Sequence, residues 1–181
     1  MKFTETKLKG AFIVEIKQLE DERGFFGRSW CKHEMEEHGL NGNIAQANTS
    51  FSKKKGTMRG IHFQRHPNEE TKIIRCTKGA IYDVIVDLRK DSPTFMQWIG
   101  VELTEDNYKM VYVPENFGHG FLTLKDNSEV YYLVTNFYTP SAEGGIRYND
   151  PALNINWPVP VTVVSEKDRS HPDLKLQLAT Y

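Results

Sequence analysis

One histidine, His62, stands in the neutral and apolar run GTMRGIHFQ at residues 56–64, with Arg59 three positions before it. Three roles fit such a residue: metal ligand, proton carrier or satisfied core side chain. An unperturbed pKa of about 6.5 makes imidazole the best side-chain base at neutral pH. A base of this kind usually needs a carboxylate on its other ring nitrogen. Groups that handle anions and protons surround it in the sequence. QANTSFSKKKGTMRGIHFQ carries Gln46, Asn48, Ser50 and Ser52 at alternating positions ahead of Arg59. ETKIIR offers Lys72, EVYYLVTNFY offers Tyr131, Tyr132 and Tyr138, and DERGFF offers Arg23 beside a glycine. Arginines suit a phosphate-bearing ligand, although each alone also fits a surface ion pair.

These residues need strands to hold them. TKIIRC (71–76) is short and β-branched, and TKG then turns the chain. In AIYDVIVDL (80–88), Ile81, Asp83, Ile85 and Asp87 fall on one face and Tyr82, Val84, Val86 and Leu88 on the other, a period of two. FMQWIGVEL (95–103), KMVYVP (109–114), GFLTL (120–124) and EVYYLVTNFY (129–138) continue the pattern. Short strands at regular spacing, with turn signals between them, predict an all-β sandwich or barrel. An antiparallel double sheet such as a jelly roll fits best. The alternating polar residues from Gln46 to Ser52 then line either solvent or a wet pocket. KHEMEEHGL (32–40) reads as a helix that Gly39 can stop, and short helices are also expected in the tail after Pro151.

Composition narrows the function. The 181 residues suit a single domain, 1–181, with a full core, and no repeat or linker divides them. A net charge of -1 argues against an electrostatic nucleic-acid binder. No apolar run approaches the roughly 18 residues of a membrane helix, and the start MKFTETKLKG has no signal-peptide core. Cys31 and Cys76 form no CxxC pair, as expected of reduced cysteines in a cytoplasmic protein.

The layout resembles a cupin with an incomplete metal set. Metal-binding cupins use a glycine, five residues, His-x-His and a second segment with a further histidine. Here Gly56 and His62 keep the first spacing, Gln64 replaces the second ligand, and PENFGHGF supplies His119. Two histidines and a glutamine hold zinc or iron poorly. A metal-free barrel leaves His62 to transfer protons.

The motifs taken in order resemble the dTDP-4-dehydrorhamnose 3,5-epimerases over nearly the whole chain. They are DERGFF, QANTSFS, GTMRGIHFQ, TKIIRCTKGAIYDVIVDLRKDSPTF, VPENFGHGF, YNDPALNINWP and SEKD. The resemblance implies a cupin-type jelly roll, a homodimer without metal or cofactor, and a nucleotide-linked 4-keto-6-deoxy sugar as substrate. His62 matches the family's base and Asp168 the carboxylate paired with it. Tyr132 matches the acid on the other face of the sugar, and Lys72 the cation that stabilises the enolate. Arg23 and Arg59 match residues that grip the pyrophosphate and sugar. Gln46, Asn48, His119, Tyr138 and Glu143 match other pocket positions.

Arg28, in GFFGRSW, departs from the acidic residue that many members carry near the nucleotide base. It is kept as a candidate binding residue, and it leaves CDP- or GDP-linked sugars open beside dTDP. The alternatives are an epimerase that inverts C3 alone, a 3,4-ketoisomerase on a similar barrel, a cupin that binds sugar nucleotides without turnover, and a metal-dependent cupin oxygenase. The ketoisomerases usually lack a match to SEKD.

Overall fold

The computed structural model describes residues 1–174. In chain order the strands are β1 (Lys2–Glu5), β2 (Phe12–Glu15), β3 (Leu19–Asp21), β4 (Gly24–Phe26), β5 (Gln46–Ser52), β6 (Thr57–Gln64), β7 (Lys72–Lys78), β8 (Ala80–Asp87), β9 (Trp98–Thr104), β10 (Lys109–Val113), β11 (Phe117–Thr123), β12 (Ser128–Val134), β13 (Glu143–Gly145) and β14 (Val163–Val164). Helices α1 (Lys32–Glu37) and α2 (Glu166–Ser170) complete the described elements.

Two sheets form a jelly-roll-type sandwich. One runs β1-β2-β10-β7-β12-β5; the other runs β13-β6-β11-β8-β9, with β14 added in parallel to β6. Between them lies a core in which Ile74, Cys76, Val111, Val113 and Val130 of the first sheet meet Ile81, Ile85, Phe117 and Phe121 of the second. The alternation in β8 is used on both sides. Ile81 and Ile85 face that inner core, while Val84 and Val86 pack into a second cluster with Met58, Ile61, Leu122 and Ile146. Burial on both faces explains why the strand contains so few exposed positions.

Helix α1 closes a third cluster on the outer face of the first sheet, around Val14, Met35, Ile73 and Met110. Met35 is fully buried, so truncation to alanine would cost about 2–5 kcal/mol. The helix stops where the sequence predicts, with Gly39 at φ +70°.

Two strands are shorter than their sequence patterns suggest. Phe95, Met96 and Gln97 belong to a turn, because Asp87 gathers the chain there. It accepts hydrogen bonds from Ser92 and Thr94 hydroxyls at 2.6 and 2.7 Å and pairs with Arg89. After Val134, Asn136 donates to the Glu69 carbonyl, and the Tyr138 N–H donates to Gln46, so the chain leaves the sheet and folds over its end.

The segment from Ile146 to Val161 covers the outside of the second sheet. Trp98 of β9 donates to the Leu153 carbonyl, which ties that cover down, and Trp157 donates to the Tyr148 carbonyl within it. Its course returns the chain to β6 through β14 and brings α2 against it. Among the described residues, no helix is long and apolar enough to cross a membrane.

Candidate active site

The middle of β6 carries His62, which stands opposite His119 of β11 on one side and Gly145 of β13 on the other. The polypeptide is tight here. Gly60 has φ +104°, and a Cβ on it would lie 2.7 Å from both Gly120 Cα and the His119 carbonyl oxygen. Only glycine fits this position.

His62 Nε2 lies 2.6 Å from Asp168 Oδ1, across 106 residues of sequence. Ser165 caps α2 by accepting the Asp168 N–H at 3.0 Å, and the Gly60 N–H donates to Asp168 Oδ2 at 3.3 Å. Burial alone would raise the Asp168 pKa. The hydrogen bond and charge of His62, with help from the Gly60 N–H, outweigh it and hold the carboxyl below its ordinary value. An ionised carboxylate can only accept, so His62 donates through Nε2, and in the neutral ring this leaves the lone pair on Nδ1. That is the tautomer a base requires.

Two lobes of one cleft meet at this histidine. The first, of about 520 Å³, is lined by Ser50, Arg59, His62, Lys72, His119, Phe121, Tyr132, Lys167 and Asp168, among others. The second, of about 440 Å³, is lined by Gln46, Asn48, His62, Gln64, Glu70, Lys72, Tyr132, Tyr138 and Glu143, among others. His62, Lys72 and Tyr132 border both. His62 comes from the second sheet, whereas Tyr132 and Lys72 come from β12 and β7 of the first. The cleft thus has acid-base groups on opposite walls.

Burial, and then the charge of Glu70, push the Tyr132 phenol above its ordinary pKa, so it stays protonated at neutral pH. Lys72 Nζ lies 3.2 Å from Glu70, with both side chains largely buried. Arg59 is steadied by Ser52 at 3.1 Å and by the Phe51 carbonyl at 3.0 Å. His119 is held by Asp83 at 2.7 Å, a second histidine–carboxylate pair and, unlike the first, one with both members buried. At the far lobe Glu143 accepts from Tyr138 and from Lys167, each at 2.6 Å. Burial opposes ionisation of Glu143, but these two donors prevail and keep its pKa low.

The polar alternation read in β5 faces inward. Gln46, Asn48 and Ser50 are half-buried, and Ala47, Thr49 and Phe51 are exposed. The wet-pocket alternative is the one the fold adopts. Gln64 has structural work instead of a ligand's role. Its amide donates to the Asn68 and Phe137 carbonyls, and its carbonyl accepts the Thr139 N–H at 2.6 Å.

Ten of the twelve candidate residues line the cleft. Arg23 and Arg28 do not border either lobe within their own chain. Arg23 sits at the tip of the β3–β4 hairpin, 84% exposed and paired with Asp21. Arg28 is turned to Glu34 at 3.0 Å. Sequence reasoning missed Lys167, Glu70 and Asp83. Lys167 was within reach, since it immediately precedes Asp168 in SEKD. Asp83 was visible only as one of two aspartates, with Asp87, that alternate with isoleucines on one strand face.

Comparison with known proteins fits this geometry. The family described as dTDP-4-dehydrorhamnose 3,5-epimerase matches residues 5–176. The curated enzyme of that description from Salmonella typhimurium is 44% identical over 97% of both chains. A crystal structure of the Bacillus anthracis enzyme with TDP and PPi bound is 45% identical, with a TM-score of 0.92 over 96% of this chain and 99% of that one. One from Legionella pneumophila, in complex with dTDP-4-keto-L-rhamnose, is 37% identical, with a TM-score of 0.90 over 97% and 93%.

Proposed function

The chain belongs to the dTDP-4-dehydrorhamnose 3,5-epimerase family, and on that premise we propose that it converts dTDP-4-dehydro-6-deoxy-D-glucose to dTDP-4-dehydro-L-rhamnose. The observation that carries the mechanism is the pairing of His62 with Asp168 at 2.6 Å on one wall of a cleft whose other wall bears Tyr132.

The hydrogens on C3 and C5 are acidic because both carbons flank the C4 ketone. Their pKa still lies far above that of imidazole, so the enolate must be stabilised. Lys72 serves as the cation beside the developing oxygen, and such preorganised donors are each worth roughly 3–4 kcal/mol. His62 Nδ1 removes the proton from one face. Asp168 fixes the ring and supports its charged form. The Tyr132 O–H returns a proton to the opposite face, which inverts the centre. Solvent then reprotonates the tyrosinate and deprotonates the imidazolium, and the cycle repeats at the second carbon. No electrons are exchanged, so the reaction as drawn calls for no redox cofactor. Arg59 and Lys167 supply charge for the diphosphate, while Gln46, Asn48, Tyr138 and Glu143 serve the neighbouring lobe.

A homodimer accounts for Arg23. Leu19, Phe25 and Phe26 of the β3–β4 hairpin are exposed, as are Phe51 and Tyr131 on the outer face of the first sheet. Apolar surface of that kind is normally covered. An arginine at such a hairpin tip, outside its own chain's cleft, would serve the cleft of a second chain.

Proton NMR of the substrate with the purified protein in deuterated water tests the reading. Loss of signal at both C3 and C5 is expected. Loss at C3 alone would make the protein a mono-epimerase, and no exchange at either carbon would leave it a sugar-nucleotide binder.

A further inference from the structure

The catalytic pair has a third neighbour that the proposed reaction does not use. His171 directly follows α2 and presents its ring edge-on to His62, with centroids 6.3 Å apart and planes at 75°. One ligand atom from each of His62, Asp168 and His171 falls within 4.8 Å of the others. His171 Nε2 is buried and has no hydrogen-bond partner among the described residues. A buried nitrogen of that kind normally finds one. Gly145 makes the placement possible, because a Cβ there would collide with the His171 ring.

We propose that His62, Asp168 and His171 form a binding site for a borderline divalent cation of the zinc type, whose occupancy takes the base out of use. Two imidazoles and one carboxylate with an open fourth position are a characteristic zinc donor set. The barrel's other histidine, His119, is already engaged by Asp83, and Gln64 by backbone groups. The site therefore does not use the segment pair of metal-binding cupins. Zinc–ligand bonds of about 2.0–2.2 Å put donors roughly 3.4 Å apart. The 2.6 Å contact between His62 and Asp168 must open slightly, and the His171 side chain must rotate inward. Lys167 lines the same lobe and would oppose a cation, and Glu143 holds it at 2.6 Å. Binding through Nε2 requires a neutral ring in its other tautomer, so the proton facing Asp168 leaves to solvent and Nδ1 takes one up from solvent. His62 then has no lone pair for the substrate.

Calorimetric titration of the full chain with zinc chloride tests the site, with cobalt(II) absorption reporting the donor set. The wild-type chain is expected to bind one ion, and carbon–deuterium exchange should fall as the site fills and return with a chelator. His171→Ala should exchange normally without metal and bind zinc about tenfold more weakly or worse. His171→Cys, which restores a ligand, should recover the affinity. Equal zinc affinity in His171→Ala and wild type, or no binding to wild type, would overturn the site. Zinc bound through His171 with exchange untouched would overturn the blockade. The blockade rests on the epimerase reading, but the calorimetry does not, so the failures of the two are distinguishable.

Discussion

His62 and His119 are cross-strand partners in the β6–β11 pair, and each holds a carboxylate of its own, Asp168 at 2.6 Å and Asp83 at 2.7 Å. The two pairs differ in exposure. The His62 side chain is 32% exposed and opens to both lobes, whereas His119 is 10% exposed. The accessible pair is suited to remove protons, and the enclosed one to shape the pocket floor.

His62→Ala should abolish deuterium exchange at both carbons with the far-UV circular dichroism unchanged. Asp168→Asn should keep weak exchange, with kcat lowered by about 10² to 10⁴-fold. Near wild-type exchange in either variant would remove the pair from the mechanism.

Tyr132→Phe separates abstraction from delivery. Burial holds the phenol protonated, so its loss removes an acid and not the base. Exchange from the His62 face should persist while the yield of inverted sugar falls. Parallel NMR of deuterium wash-in and product configuration measures both, and an undiminished yield would exclude Tyr132 as the acid.

Asp87 gives a stability prediction away from the cleft. Burial would raise its pKa, but Arg89, Ser92 and Thr94 bring it down from 3.8 to about 2. A depressed carboxylate stabilises the fold above its unfolded pKa and loses that contribution as pH falls through the folded value. Asp87→Asn should therefore cost about 2 kcal/mol at pH 7. The difference should shrink between about pH 4 and pH 2. Denaturant titrations across that range check it, and a gap independent of pH would contradict the assignment.

The β3–β4 hairpin carries a paired test. Phe26→Ser should shift sedimentation velocity from dimer to monomer. Arg23→Ala should leave the dimer intact and raise KM. A wild-type chain that sediments as a monomer would end the dimer reading.

Arg28 pairs with Glu34, which offsets its charge, so it should not redirect base preference. Calorimetry with thymidine, cytidine and guanosine diphosphates is expected to favour thymidine. Tighter binding of either other nucleotide would reassign the sugar donor.

Much of this architecture was legible because its strands bury alternate residues. β8 and β5 state their faces directly, one by isoleucines and aspartates that alternate against a largely apolar opposite face and one by a polar inner face. The strand ends were not legible, since side chains such as Asp87 and Asn136 capture the backbone after the pattern would continue. β1, β2, β13 and β14 are short and carry too few alternations to register. The partnership of His62 with Asp168 was legible only through resemblance. No local spacing relates a mid-sheet residue to a helix 106 positions later. Arg23 was read as a donor for the pyrophosphate and sugar, and its position on an exposed hairpin outside its own cleft depends on tertiary placement.

The arrival of Asp168 from the C-terminal part of the chain has a consequence for biosynthesis. Both sheets of the sandwich draw their strands from residues that leave the ribosome before α2 does. The strand that carries His62 is therefore synthesised well before the carboxylate that orients it. Competence requires α2, and a chain that stopped before Ser165 would carry the residues of every strand yet lack the carboxylate that orients the base.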